Sequence, residues 1–186
     1  MKNLIVVVLL CTTSLAYAGF DEGFDAYKKG NYAVALKEFK KVAEKGNASA
    51  QFGIGLMYDN GEGVPQSYKQ AVAWYTKAAE QGDDYAQYNL GLMYDTGEGV
   101  PQDYKQAIEW YIKAADQGHA SSQFNLGNMY ANGRGVSQDY TQAVVWYTKS
   151  AEQGDASAQY SLGRMYREGE GVPLDDAQAV VWYTKA

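Results

Sequence analysis

The chain has 186 residues, 46% of them hydrophobic, a length that suits one compact domain or one short array rather than two ordinary domains. Aromatic residues make up 14% of it, which excludes a chain that is disordered throughout. Its 16 Lys and Arg residues face 22 Asp and Glu residues, and this net charge of −6 without a basic block argues against nucleic acid as a partner.

The first eighteen residues have the layout of a secretory signal peptide. Lys2 precedes an apolar run that begins at Leu4, and residues 16–18 read Ala-Tyr-Ala. This pattern predicts cleavage between Ala18 and Gly19. The alternative is a retained anchor, but the apolar stretch of about 12 to 14 residues is shorter than a membrane span requires.

Cleavage would leave 15 basic against 22 acidic residues, a net charge of −7, and would remove Cys11, the single cysteine. We therefore expect a secreted or periplasmic protein that has no disulfide and no membrane attachment once the signal is removed.

One motif recurs every 36 residues after the signal sequence. The sixteen residues from Val64 and the sixteen from Val100 are identical at twelve positions. The period predicts repeat units at residues 47–82, 83–118, 119–154 and 155–186, the last of them incomplete. Tryptophan marks the period at Trp74, Trp110, Trp146 and Trp182.

Each unit is predicted to contain two helices. Apolar residues in the first half of a unit recur on one helical face, as at Ala50, Ile54 and Met57. The first helices begin after Asn47, Asp83, His119 and Asp155, and the second helices begin after the capping residues Ser67, Asp103, Asp139 and Asp175. The buried stripe of the second helix is predicted to be Ala71, Trp74, Tyr75, Ala78 and Ala79.

A glycine interrupts the first helix of every unit. Each such glycine costs about 1 kcal/mol relative to alanine in a helix. We therefore expect a close approach between helices, with a Tyr or Trp ring filling the notch, and stacking of successive pairs to bury the remaining apolar face. These glycines are Gly55, Gly91, Gly127 and Gly163.

The two ends of the array differ from its middle. Residues 19–46 predict a divergent opening helix pair with a short turn at Gly30 and a Lys-rich second helix. At the other end the last helix stops at Ala186 without the polar cap of the earlier copies. Either that helix frays, or the sequence is a fragment of a longer array, which is the expectation we adopt.

The repeated unit closely resembles the Sel-one-like repeat family. The opening pair is similar to a tetratricopeptide unit. The resemblance implies an all-α fold, a right-handed α/α solenoid of five stacked antiparallel helix pairs after the signal peptide. It also implies a concave surface and work as an adaptor or scaffold for another protein or peptide. The residues that carry it in the second copy are Ala86, Leu90, Gly91, Tyr94, Gly97, Gly99, Val100, Ala107, Trp110, Tyr111, Lys113, Ala114, Ala115 and Gly118.

In arrays of this kind the first helix of each pair lines the concave side, and the resemblance places the candidate binding residues there. The aromatic candidates are either anchors for a bound peptide or packing between repeats. The asparagines either bond a peptide backbone or belong to solvated helix surface. The full set is Phe52, Tyr85, Tyr88, Asn89, Phe124, Asn125, Asn128, Tyr160 and Arg164.

The sequence contains few of the residue types that commonly carry out catalysis. His119 is the only histidine and stands where Asp83 and Asp155 begin a helix in other copies, so a structural role is expected. One histidine and no mature cysteine cannot form a zinc cage or a Cys–His pair. We predict no cofactor, no metal and no enzymatic activity. The alternatives are a secreted β-lactamase or penicillin-binding enzyme of the kind seen in cysteine-rich relatives, or a binder of cell-wall ligands.

Overall fold

The structure is a computed structural model that describes residues 19–186. The predicted signal peptide and the Ala18 side of its cleavage site lie outside the described residues, and Gly19 is the first residue inside them. The described residues form helices joined by turns. These are α1 (19–28 within the described part), α2 (Tyr32–Ala43), α3 (Ala48–Asn60), α4 (Tyr68–Glu80), α5 (Asp84–Thr96), α6 (Tyr104–Asp116), α7 (Ala120–Asn132), α8 (Tyr140–Glu152), α9 (Ala156–Glu168) and α10 (Asp176–Lys185).

The chain divides into two compact units. The N-terminal unit runs to Ala86 and includes Glu98–Val100, and the C-terminal unit comprises Gln87–Gly97 and Pro101–Ala186. In the N-terminal unit α3 packs against both α2 and α4. In the C-terminal unit α7 packs against α6 and α8, and α9 packs against α8 and α10. Within each unit these helices pack against their neighbours in the chain, as a stack of helix pairs requires.

Side-chain caps begin the helices as the sequence predicts. The Asn47 side chain accepts a hydrogen bond from the amide of Ala50 at 2.8 Å, and the Asp139 carboxylate accepts one from the amide of Gln142 at 3.0 Å. At the start of α7 the Nδ1 atom of His119 accepts from the amide of Ser122 at 3.2 Å. An accepting Nδ1 is unprotonated, so His119 replaces the aspartate of other copies as a helix cap.

The mid-helix glycines mark close contacts between paired helices, which confirms the prediction. A Cβ atom on Gly55 would lie 2.5 Å from Cδ1 of Tyr75, and a Cβ atom on Gly91 would lie 2.7 Å from Cδ1 of Tyr111. The same notch pairs Gly127 with Tyr147 in α8. The rings of Tyr75 and Tyr111 are fully buried. The helix-propensity cost of each glycine is thus offset by the burial of an aromatic ring.

Tryptophan takes a different place from the one predicted. The sequence placed Trp74 in the buried stripe of its helix, but the residue is only partly buried. The ammonium group of Lys77, one turn further along α4, lies 4.0 Å from the centre of the Trp74 ring. The indole packs against the buried core of its unit and is partly covered by the lysine. The other copies repeat the pair as Lys113 on Trp110, Lys149 on Trp146 and Lys185 on Trp182.

A second periodic contact joins one helix pair to the next. The buried Gln51 side chain donates from Nε2 to the carbonyl of Ala43 at 2.9 Å and accepts at Oε1 from Gln81 at 2.6 Å. Gln123 makes the same two contacts, with the carbonyl of Ala115 and with Gln153. The sequence signal is a glutamine at 36-residue spacing in both helices, which the interpretation of the repeat overlooked.

Candidate interaction surface

The first helix of each pair carries an aromatic residue beside the tyrosine in the glycine notch, which is buried in the first three pairs and partly buried in the last. Its ring packs at a tilt against the tyrosine in the glycine notch of the same pair, with ring centres 5.5 to 6.1 Å apart. The contacts are Phe52 with Tyr75, Tyr88 with Tyr111, Phe124 with Tyr147 and Tyr160 with Tyr183. One edge of each ring therefore has a packing role.

None of the nine candidate binding residues is fully buried. Tyr85 and Tyr160 are the most open, with 58% and 59% of their surface exposed. The other seven are partly buried: Phe52, Tyr88, Asn89, Phe124, Asn125, Asn128 and Arg164. The structure thus leaves each of them accessible in part, and their role in binding stays a prediction.

Three of the polar candidates already have partners inside the fold. The Oδ1 atom of Asn128 accepts a hydrogen bond from the Tyr147 hydroxyl at 2.8 Å. Asn125 lies close enough to the Tyr88 hydroxyl to lower its pKa, although burial outweighs that influence and raises the pKa of Tyr88. Arg164 forms an ion pair with Glu168 at 3.2 Å. These side chains therefore make contacts within the fold and are also partly exposed to solvent.

Acidic groups dominate this face in the N-terminal unit. The Tyr75 hydroxyl donates to the Asp59 carboxylate at 2.9 Å, and burial, with the Glu98 carboxylate nearby, raises the pKa of Asp59 despite that bond. Glu62 accepts from the hydroxyls of Tyr27 at 2.6 Å and Tyr32 at 3.0 Å. Burial alone would raise the pKa of Glu62, but these hydrogen bonds outweigh it and hold the pKa below its usual value.

Arginines appear on the equivalent positions of the C-terminal unit. Arg134, which replaces the glutamate of other copies in the Gly-x-Gly turn, pairs with Asp95 and lies 4.8 Å from the centre of the Tyr104 ring. Arg167 stands where the first copy has Asp59 and pairs with Glu168 at 2.8 Å. The sequence marked Arg134 as a departure, but its partner lies 39 residues away and was not foreseen.

Two concave spaces adjoin the candidate residues. A pocket of about 210 Å³ in the N-terminal unit is lined by Phe52 and Tyr85 together with rings of the opening pair. A wider groove of about 800 Å³ in the C-terminal unit is lined by Phe124, Tyr160 and Arg167 among others. Both spaces have the size of ligand sites in proteins or somewhat less.

The described part of the chain contains no group of three or more His, Cys, Asp or Glu side chains arranged to hold a metal ion. Within residues 19–186, no helix combines the length and the apolar character needed to span a bilayer.

Comparison with known proteins identifies the repeats. The Sel1 repeat family model matches residues 48–83, 84–119, 120–155 and 156–186. A Sel1 repeat protein from Oxalobacter formigenes is 39% identical, with a TM-score of 0.83 over 87% of this chain and 67% of that one. The structure of c5321, a protective antigen of uropathogenic Escherichia coli strains with an SLR fold, is 44% identical, with a TM-score of 0.88 over 91% of this chain.

The matches extend over only part of some relatives. This chain covers 37% of c5321. DAP3-binding cell death enhancer 1 of Rattus norvegicus is 36% identical over 50 residues, which are 27% of this chain and 10% of that protein.

Proposed function

Since this chain belongs to the Sel1 repeat family, whose fold is an all-α solenoid, we propose that it is a non-catalytic scaffold for protein–protein interaction. Its partner is another protein or a peptide. The partner binds on the face that the family resemblance implies to be concave, which the first helix of each pair carries.

The observation that carries the proposal is the contrast between constant and variable positions. The glycine notch and its tyrosine are the same in all four copies, whereas the position of Leu56 becomes Leu92, Asn128 and Arg164 in the later copies. Residues that build the repeat must stay constant, because every copy packs in the same way. Residues that vary between copies on a partly exposed face are not fixed by repeat packing, so their chemistry can follow that of a bound partner.

The aromatic residues of this face supply a source of binding energy. Large rings at least partly open to solvent dominate the hot spots of protein interfaces. Tyr85 and Tyr160 are more than half exposed, and their rings are held by neighbours within about 6 Å, so little side-chain entropy is lost on binding.

A double variant tests the face. Tyr85→Ala with Tyr160→Ala removes two exposed rings and should leave the helical circular dichroism unchanged. We expect recovery of the partner from the native envelope fraction, measured by affinity capture and mass spectrometry, to fall about tenfold. The control is Lys69→Ala with Lys105→Ala on the second helices, both exposed. Equal recovery by both double variants would remove this face from consideration.

We also propose that the protein acts outside the cytoplasm, in the secreted or periplasmic space. The signal-like pattern of residues 1–18 supports this location. So does the similarity to c5321, which is described as a protective antigen. Sequencing the amino terminus of the protein purified from its host is expected to begin at Gly19, and an intact Met1 terminus in the cytoplasmic fraction would contradict the location.

A further inference from the structure

Two residues that break the repeat pattern, Gly53 and Tyr85, line one pocket of the N-terminal unit. Tyr85 stands where the other three copies have serine, and Asp84 before it stands where they have alanine. Gly53 stands where the later copies have Asn89, Asn125 and Ser161. Framework needs do not explain these departures, since the other copies build the same helices without them.

Aromatic rings form the larger part of the pocket wall. Phe20 stacks on Phe24 at 5.9 Å and on Phe39 at 5.7 Å, and Phe52 packs against Tyr85 at 6.0 Å, all between ring centres. These five rings line the pocket with Tyr27, Leu56, Ser49, Gly53 and Asp83.

Gly53 leaves room for the Phe39 ring in the wall of this pocket. A Cβ atom on Gly53 would lie 2.9 Å from the Phe39 ring, so the larger residues of the later copies would displace that ring. Only the first copy, which has the aromatic opening pair beside it, carries glycine here. The opening pair and the first repeat are thus matched to each other around an open apolar space.

The size and lining of the pocket suit one large apolar side chain. Its volume is about 210 Å³, whereas an apolar cavity of roughly 150 Å³ already accepts a benzene ring. At its mouth Phe24 and Tyr85 keep 44% and 58% of their surfaces in water. A guest side chain would remove that apolar surface from solvent, which favours binding.

The mouth of the pocket is acidic. Asp83 is part of the wall, and Asp84 lies between Asp83 and Tyr85 in the chain. Helix α1 brings the Lys28 ammonium to 4.6 Å from the centre of the Phe24 ring, and that ammonium is compensated by Asp25 at 3.0 Å. The carboxylates of Asp83 and Asp84 therefore leave a net negative charge beside the pocket, which complements a cationic guest.

We propose that this pocket binds a segment of a partner protein that inserts one leucine, methionine or aromatic side chain among the rings and places a Lys or Arg beside Asp83 and Asp84. The inference rests on the proposed scaffold function and names the chemistry of its partner.

The test is a selection from a phage-displayed library of random dodecapeptides on the immobilised protein. The enriched peptides are expected to share a large apolar residue with a Lys or Arg within about two positions. For the best synthetic peptide, replacing either residue by alanine should weaken binding about tenfold, and so should a change from about 0.05 M to about 0.5 M NaCl for the charged contact.

The matched variant is Asp84→Ala with Tyr85→Ser, which gives the second copy the Ala-Ser start of the other three and therefore preserves the fold. It should bind the peptide about tenfold more weakly. The control, Ala120→Asp with Ser121→Tyr, places the same pair on the third copy and should bind as the unaltered protein does. A second variant, Gly53→Ser, narrows the pocket and should weaken binding independently of charge.

Each outcome has a separate meaning. Enriched peptides without a basic residue, or full binding by the D84A/Y85S variant, would overturn the pocket assignment. Peptides that depend instead on Tyr160 and Arg164 would also overturn it while leaving the scaffold function in place. A chain that selects no peptide and captures no partner would count against both.

Discussion

The tyrosine in the glycine notch shows how one residue type meets different chemistry in different copies. Its ring packs in the same way in each, but its hydroxyl does not. Tyr75 donates to Asp59 and Tyr147 donates to Asn128. Among the described residues, the buried hydroxyl of Tyr111 has no partner within hydrogen-bond distance, although Asn125 lies near enough to lower its pKa against the larger opposite effect of burial. The residue opposite Tyr111 is Asp95, which pairs with Arg134 instead.

Replacing these tyrosines by phenylalanine therefore separates the contribution of the ring to stability from the contribution of the hydroxyl. Tyr75→Phe leaves the buried side of Asp59 without its donor and should lower the free energy of unfolding by about 1 to 2 kcal/mol. Tyr111→Phe removes a buried hydroxyl that donates to no group of the described residues, with only Asn125 nearby, and should change the free energy of unfolding by about zero or raise it slightly. Urea denaturation followed by circular dichroism measures both, and equal losses would contradict the assignment.

The notch glycine leads to a prediction opposite to helix propensity. Gly55→Ala gains about 1 kcal/mol from propensity, but its methyl group would overlap the Tyr75 ring. We expect a net loss of about 1 to 3 kcal/mol from overpacking, again by urea denaturation. Ala73→Gly, at an exposed position of α4, is the control for propensity alone and should cost about 1 kcal/mol. A Gly55→Ala protein more stable than the original would refute the notch.

At the scale of the helix, stability depends on the joints between successive pairs. The glutamine contacts satisfy the carbonyls at the end of one helix from the start of the next, where water has little access. Leaving a buried polar group without a partner costs free energy, so a contact of this kind favours one arrangement of the two helices.

The prediction for this joint compares its two glutamines. Gln123→Leu keeps the side-chain volume but removes two hydrogen bonds, to the Ala115 carbonyl and from Gln153, which should cost about 1 to 3 kcal/mol. Gln153→Ala removes the exposed partner and should cost less than about 1 kcal/mol, because water replaces it. Thermal and urea unfolding of the two variants test the order, and a larger loss for Gln153→Ala would disprove it.

For the whole molecule, the buried tyrosines predict sensitivity to alkali. Burial raises the pKa of Tyr147 to about 12, and it raises the pKa values of Tyr75 and Tyr111 as well. An unfolded tyrosine titrates near pH 10, so above that pH the unfolded chain binds fewer protons than the folded one. The stabilisation is complete below about pH 10 and is lost as the pH rises towards the folded values.

We expect the free energy of unfolding to be level between about pH 8 and 9.5 and then to fall, by up to about 1.4 kcal/mol per pH unit for each buried tyrosine. Urea titrations across this range supply the measurement. Tyr147→Phe should reduce the slope between about pH 10 and 12, and an unchanged slope in that variant would show that this ring is not part of the effect.

The sequence alone determined the helices and their pairing. Caps, turn glycines and the 36-residue period are local signals, and a copy that repeats them folds in the same way each time. Even the notch was predictable, because a glycine repeated inside a helix requires a close neighbour.

Only the tertiary structure decided which side chains meet across the helices. It left Trp74 partly buried beside the Lys77 ammonium and placed Tyr75 in the notch, although the two are adjacent and equally periodic. It also brought Phe20 and Tyr85 to one pocket from positions 65 residues apart. Such contacts depend on the depth and angle at which whole helices pack, which no local pattern encodes, so the candidate site emerged only when the non-repeating residues were seen together.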